Sequence, residues 1–164
     1  MSHRVRFAGA GDAATIHRFI VELALYEREP DAVETTVAEL RAQLATAPPP
    51  FECLLVEDDD GAAGFALFFH NYSTWRGRTG LYLEDLFVTP DRRGRGYGVA
   101  LLRRLAELAV ERGCARMEWA VLDWNEPAIR LYRDLGAESL DDWTLFRLTG
   151  EALQRLAGRA GPSR

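Results

Sequence analysis

Arg92-Arg93-Gly94-Arg95-Gly96-Tyr97-Gly98 is the stretch that decides the reading of this chain. It follows an apolar run, Leu81-Tyr82-Leu83-Glu84-Asp85-Leu86-Phe87-Val88, whose length and content suit a central strand. After it, residues 99–112 carry Leu101, Leu102, Leu105, Leu108 and Ala109 at helical spacing. Glycines at 94, 96 and 98 permit a tight turn and remove the side chains that would block a bulky anion. The amides at the start of the following helix point outward, and the helix dipole favours negative charge there. Standing alone, an Arg-Gly repeat could be a flexible basic loop. With a strand before it and a helix after it, the stretch reads as a pyrophosphate-binding device.

Two common phosphate loops do not fit. No Gly-Lys-Ser/Thr follows, so the turn is not a P-loop. The dinucleotide fingerprint needs Gly-x-Gly-x-x-Gly and an acid about 20 residues on. Here the spacing is Arg93-x-x-Gly96-x-Gly98 with an additional Gly94. That pattern resembles the acetyl-CoA loop of the Gcn5-related N-acetyltransferases (GNAT).

The bulk numbers set bounds. A chain of 164 residues suits one domain with a real core, and 48% hydrophobic with 27% charged residues is ordinary for a globular protein. A single domain over residues 1–164 is expected, with residues 158–164 as a frayed tail. No apolar run reaches the length of a membrane span, and Met1-Ser2-His3-Arg4 lacks a signal-peptide core, so a cytoplasmic protein is expected. Cys53 and Cys114 give neither a disulfide framework nor a metal spacing, and both read as small apolar filler. His3, His17 and His70 show no ligand spacing, so no metal is expected. A net charge of −5 disfavours nucleic-acid binding and suits a cationic partner. All 20 basic residues other than histidine are arginines.

Along the chain, residues 4–8 alternate as a first strand, and Asp12 is placed to cap a helix carrying Ile16, Phe19, Ile20, Leu23 and Ala24. Val37, Leu40 and Leu44 mark a second helix, which Pro48-Pro49-Pro50 ends. Residues 52–56 and 62–70 read as strands joined at the turn Asp58-Asp59-Asp60-Gly61. Gly113 stops the main helix, and residues 116–122 form another strand. Asn125 opens a short helix with Pro127 in its first turn, and Gly136 closes it. Residues 143–148 read as a last strand and residues 151–156 as a terminal helix. The order β-α-α-β-β-β-α-β-α-β-α predicts an α/β (α+β) fold, a mixed sheet with helices packed on it.

The resemblance spans nearly the whole chain. Leu81-Tyr82-Leu83-Glu84-Asp85, the glycine loop, Trp124-Asn125-Glu126-Pro127 and Leu131-Tyr132 through Leu135-Gly136-Ala137 are similar to the diamine acetyltransferase (spermidine/spermine N1-acetyltransferase) family. Glu22-Leu23-Ala24-Leu25-Tyr26-Glu27 resembles that family's N-terminal helix. Within it, Tyr72-Ser73-Thr74-Trp75 with Gly77-Arg78-Thr79, and Ala120-Val121-Leu122-Asp123-Trp124-Asn125, are most similar to the thialysine N-epsilon-acetyltransferase branch. The resemblance implies a GNAT-type sheet, mostly antiparallel, with splayed middle strands, and acetyl-CoA as cosubstrate.

The reaction so implied has definite needs. A lysine-like ammonium has a pKa near about 10.4, so its neutral form lies about 4.6 kcal/mol uphill at pH 7. A proton must leave the amine and another must reach the departing sulfur. At its motif position Tyr132 is implied as the general acid; a tyrosine on an amphipathic helix is otherwise a core or rim residue. Glu84 is implied as the base, acting through a water. A carboxylate inside an apolar strand is costly unless it is paired or functional, so an arginine-satisfied buried acid is the alternative. By strand alternation Asp85 points to the opposite face, as a structural or substrate-rim residue.

For the cofactor, the resemblance implies backbone contacts from Leu86, Phe87 and Val88 to the pantetheine arm, as an added strand in the gap before residues 116–122. It implies pyrophosphate contacts from Gly94, Arg95, Gly96, Tyr97, Gly98 and Val99 with Arg93 at the loop entry. Asn125, Pro127, Ala128 and Tyr132 complete the set; Asn125 also suits a plain N-cap. For the amine it implies Tyr26, Glu27, Trp75, Glu84, Glu118, Trp119, Ala120, Asp142 and Trp143. Acids with aromatics suit a cationic alkyl amine. Ser73 stands where polyamine-using members carry an acid, and its hydroxyl suits an amino-acid head group instead. A homodimer that completes the amine site across its two-fold is implied as well. The readings left open are acetylation of another amine (an aminoglycoside, an amino acid, a protein N-terminus or lysine) and a non-catalytic acyl-CoA-binding module.

Overall fold

The computed structural model describes residues 2–159. These divide into two compact units, one running to Leu122 and one from Asp123 onward.

The first unit is a five-stranded sheet flanked by helices. Its strands are β1 (Arg4–Phe7), β2 (Glu52–Asp58), β3 (Gly61–Ser73), β4 (Arg78–Val88) and β5 (Met117–Glu118). They lie side by side in chain order, antiparallel from β1 to β4, with β5 parallel to β4. The helices are α1 (Ala13–Tyr26), α2 (Val37–Leu44) and α3 (Tyr97–Glu111). Thr36 caps α2 by accepting from the Glu39 N–H at 3.2 Å, while the Glu39 carboxylate accepts from the Thr36 N–H. Asp12 precedes α1, but its carboxylate takes the Gly9 N–H and the Arg6 guanidinium, bracing the turn before the helix.

Side-chain alternation sets two packing faces. On one, Ile16 and Phe19 of α1 pack with Cys53, Leu55, Phe65, Leu67 and Phe87. The expected stripe of α3 (Leu101, Leu102, Leu105, Leu108, Ala109) is buried throughout. Cys53 is buried in this core, and burial pushes its thiol up; Cys114 is half-buried.

Two strand expectations are revised. The strand expected over residues 116–122 contracts to Met117–Glu118, paired only as Leu81↔Met117 and Tyr82↔Glu118. On the edge of β4 toward β5, residues 83–88 therefore have no strand neighbour among the described residues. The strand expected over residues 143–148 is absent: this stretch joins no sheet, and Phe146 is 89% exposed. A strand is stable only where a neighbour completes its hydrogen-bond ladder, and local pattern does not supply one.

The second unit holds α4 (Glu126–Asp134) and α5 (Gly150–Leu156). Asn125 caps α4 by accepting from the Ala128 N–H at 3.4 Å, and Pro127 sits in its first turn. Gly136, with φ +91°, ends that helix region as expected. Of the tail expected to fray, residues 160–164 lie outside the described residues. Among the described residues no helix is long and apolar enough to cross a membrane.

Candidate functional site

The glycine turn lies between β4 and α3. Gly94 and Gly96 have φ of +76° and +82°, left-handed values that side chains oppose, and a Cβ on either would meet nothing within 4 Å. Gly96 is the N-cap of α3, and its carbonyl accepts the first helical bond, from the Ala100 N–H at 2.9 Å. The N–H groups of Tyr97, Gly98 and Val99 therefore have no intrahelical acceptor and sit at the positive end of the dipole. Open space, left-handed glycines and a fifteen-residue helix starting at the turn make a cradle that an anion fits.

The arginines of the turn do different things. Arg92 is committed to Asp58, through Nη1 to Oδ1 at 2.9 Å. Arg95 Nη1 lies 3.9 Å from Asp58 Oδ2 and its Nη2 donates to the Asp91 carbonyl. Arg93, expected at the loop entry, donates from Nε to the Val88 carbonyl at 3.0 Å. Its guanidinium lies over the Tyr26 ring at 4.7 Å and the Phe87 ring at 5.5 Å. It thereby joins the end of α1 to the end of β4.

On β4, Phe87 is buried and Leu86 and Val88 are half-buried. Phe87 gives its side chain to the α1 face, so toward the open edge β4 offers backbone.

Glu84 stands at an irregularity. Asp85 pairs with Leu67 and Leu83 with Phe68, so Glu84 is an extra residue of β4 with no partner on β3, a β-bulge. Glu84 is exposed, so the buried, arginine-satisfied alternative does not describe it. The bulge resets the alternation. Asp85 falls on the face of Leu67, which is the α1 face shared by Phe87.

There Asp85 and Glu27 line one cavity of about 320 Å³, walled by Ile20, Leu23, Ala24 and the stretch from Ala32 to Thr35. Burial, then the charges of Glu84 and Glu27, push the Asp85 carboxyl up to about 6. Burial likewise raises Glu27. Sequence reasoning named Glu27 for the amine and gave Asp85 only as a structural or substrate-rim residue. The signal was a second acid in the same apolar strand.

The remaining residues of the first unit are more dispersed. Tyr26 ends α1 beneath Arg93. Glu118 accepts from Arg116 Nε at 2.7 Å and from Asn71 Nδ2 at 3.5 Å. Trp119 is half-buried and Ala120 exposed. Tyr82, paired with Glu118 across β4 and β5, has its phenol raised by burial and by the charges of Glu84 and Glu118. Trp75 is exposed in the β3–β4 connection. Ser73, expected to face a ligand, is 3% exposed, and its Oγ accepts from the Arg76 N–H at 3.2 Å. Its hydroxyl holds the turn.

In the second unit, Tyr132 is half-buried on α4, and its carbonyl accepts from the Ala137 N–H. Ala128 is half-buried and Pro127 exposed. Asp142 and Trp143 are exposed.

The profile of the acetyltransferase (GNAT) family matches residues 16–137. The thialysine N-epsilon-acetyltransferase of Bos taurus is 40% identical over 166 residues, covering 94% of this chain and 97% of the relative. The L-ornithine N5-acetyltransferase of Arabidopsis thaliana is 32% identical, covering 95% and 88%. Among solved structures, an integron cassette protein from the mobile metagenome of V. cholerae shares the fold, with a TM-score of 0.79 at 24% identity over 96% of this chain and 98% of that one. A family profile that enters at α1 and runs past α4, with relatives aligned end to end, establishes that this chain belongs to the GNAT acetyltransferase family.

Proposed function

We propose that this chain transfers the acetyl group of acetyl-CoA to a primary amine of a small cationic substrate, either lysine-like, with thialysine as the type, or a diamine or polyamine. We treat residues 1–164 as one N-acetyltransferase domain, since the family profile runs across the division between the two units. The observation that carries the amine is the cavity holding Glu27 and Asp85, unpaired by any cation among the described residues, beside the exposed Glu84. Uncompensated carboxylates in a partly apolar cavity favour a cationic alkyl chain and repel anions. The names of the bovine and Arabidopsis relatives, acting on thialysine and ornithine, agree with an amine on an amino-acid chain.

Acetyl-CoA supplies the activated acyl group. The cradle of Gly94, Arg95, Gly96, Tyr97, Gly98 and Val99 takes its pyrophosphate, with Arg93 packed behind. Backbone of Leu86, Phe87 and Val88 lies on the edge of β4 that no strand covers among the described residues and takes the pantetheine arm as a further strand. Asn125, Pro127 and Ala128 add contacts from the start of α4. Glu84 accepts the ammonium proton through a water. The amine nitrogen then bonds the acetyl carbon as the carbon–sulfur bond breaks, the Tyr132 hydroxyl gives its proton to the sulfur, and the second proton that the nitrogen loses restores the tyrosine through solvent. Tyr26, Glu27, Trp75, Glu118, Trp119, Ala120, Asp142 and Trp143 surround the amine, the last two in a homodimer that completes the site. A cytoplasmic enzyme with two free thiols and no metal fits this chemistry.

The test is acetyl-CoA turnover with lysine, thialysine, ornithine, spermidine, putrescine and a histone-tail peptide. Thialysine or ornithine is expected to exceed spermidine in kcat/KM. Sulfur near the thialysine amine lowers its pKa and eases deprotonation. Preference for the peptide would overturn the small-amine reading, and no turnover with any of them would favour a binding module.

A further inference from the structure

Asp58 ends β2, and its side chain is 0% exposed. A buried carboxylate is costly unless its oxygens are satisfied. Here Arg92 Nη1 donates to Oδ1 at 2.9 Å and the Asp60 N–H to the same atom at 3.0 Å. The Tyr97 hydroxyl donates to Oδ2 at 3.0 Å, and Arg95 Nη1 lies 3.9 Å from that oxygen. Burial alone would raise this carboxyl, but the hydrogen bonds of Asp60 and Tyr97 and the charges of Arg92 and Arg95 hold it below the ordinary value. Arg92 is fastened further to the hairpin through the carbonyls of Asp60 and Gly61.

Three of these partners, Arg92, Arg95 and Tyr97, bracket Gly94 and Gly96 of the turn. Gly94 and Gly96 face open space, so neither brings a side chain to fix its own position. Glycine loses more conformational freedom on ordering than any other residue. The shape of the turn has to be imposed from outside it, and the β2–β3 hairpin is where its side chains are tied.

We propose that Asp58 is a positioning residue for the pyrophosphate of acetyl-CoA, gathering Arg92, Arg95 and Tyr97 onto one buried carboxylate so that the glycines between them keep their anion-receiving shape. This rests on the reading of the glycine turn as the pyrophosphate site.

Electrostatics and ordering make opposite predictions for Asp58→Asn. Removing a negative charge beside an anion site should tighten CoA if charge alone matters. Releasing the turn should weaken CoA, because binding must then order that backbone. Asp58 is already neutralised by two arginines, so ordering wins.

The test uses the full chain in three forms: Asp58→Asn, Tyr97→Phe (which removes one of the hydrogen bonds and keeps the Tyr97 amide), and Gly96→Glu. In CoA-free protein, amide exchange over residues 92–98 is expected to speed by about tenfold in Asp58→Asn, with β3 unchanged. Calorimetric CoA affinity should fall by about tenfold, KM for acetyl-CoA should rise in step, and KM for the amine should stay within about twofold. Tyr97→Phe should give the same pattern at smaller size, and it carries the test if Asp58→Asn does not fold. Tighter CoA binding, or loop exchange equal to wild type, overturns the proposal. Gly96→Glu separates the two layers. If it weakens CoA while Asp58→Asn and Tyr97→Phe do not, the site stands and the clamp is wrong. If Gly96→Glu itself leaves CoA affinity intact, the turn is not the pyrophosphate site and the clamp falls with it.

Discussion

Asp85 faces Leu67 across the β3–β4 ladder, one residue out of the register that Leu83 and Phe68 set. That slip turns an acid onto the α1 face, beside Glu27, in a cavity whose other walls are largely apolar. Its carboxyl is pushed up to about 6, first by burial and then by the charges of Glu84 and Glu27. An unfolded aspartate titrates near about 3.9.

As pH rises from about 4 to about 6, the unfolded chain gives up this proton before the folded one, so folding loses stability over that window and the loss is complete above it. Asp85→Asn removes the term. The variant should be more stable than wild type by about 1–3 kcal/mol at pH 8 and equal to it near pH 4. Asp12, Glu57 and Asp58, all held low by their partners, act in the opposite sense, but they are common to both proteins and cancel in the comparison. Urea denaturation at the two pH values measures it; an equal gap at both would show that Asp85 does not titrate in this window.

Tyr132→Phe keeps the ring on α4 and removes only the hydroxyl. With Tyr132 as the acid, kcat should fall by about 10²-fold while acetyl-CoA affinity holds. Single-turnover kinetics with calorimetry separate the two, and a kcat near the wild-type value would pass the acid role to another group.

Ser73→Asp tests a position whose role the turn has changed. A ligand-facing serine would let the acid shift preference toward diamines. A buried serine that accepts from the Arg76 N–H should instead lose about 1–3 kcal/mol of stability, because the new charge is desolvated in the turn. Denaturation and the ratio of thialysine to spermidine kcat/KM, measured together, distinguish these. The expected result is a less stable protein with an unmoved ratio.

Assembly is tested by sedimentation. The proposed homodimer has Asp142 and Trp143 in its amine site, and residues 143–148 carry strand-forming side chains that are exposed in the chain by itself. A species of twice the chain mass is expected at micromolar protein, and Trp143→Ala should raise the amine KM with acetyl-CoA KM unchanged. A monomer across that range would remove the shared site.

What the sequence determined by itself is local. The glycine turn, the apolar stripe of α3, the Asn125 cap with Pro127 behind it, and the turn between β2 and β3 are all set by residue types a few positions apart, and spacing reports those directly. What only the tertiary structure decided depends on partners far along the chain. The bulge at Glu84 is a property of two strands in register, so alternation carried across it from Leu83 could not predict where Asp85 points. Residues 143–148 have the side chains of a strand, but a strand exists only where a neighbour completes its ladder. Asp58 reads as a turn residue until Arg92 and Tyr97 reach it from across the fold, because the energy of a buried charge is set by what surrounds it and not by what precedes it.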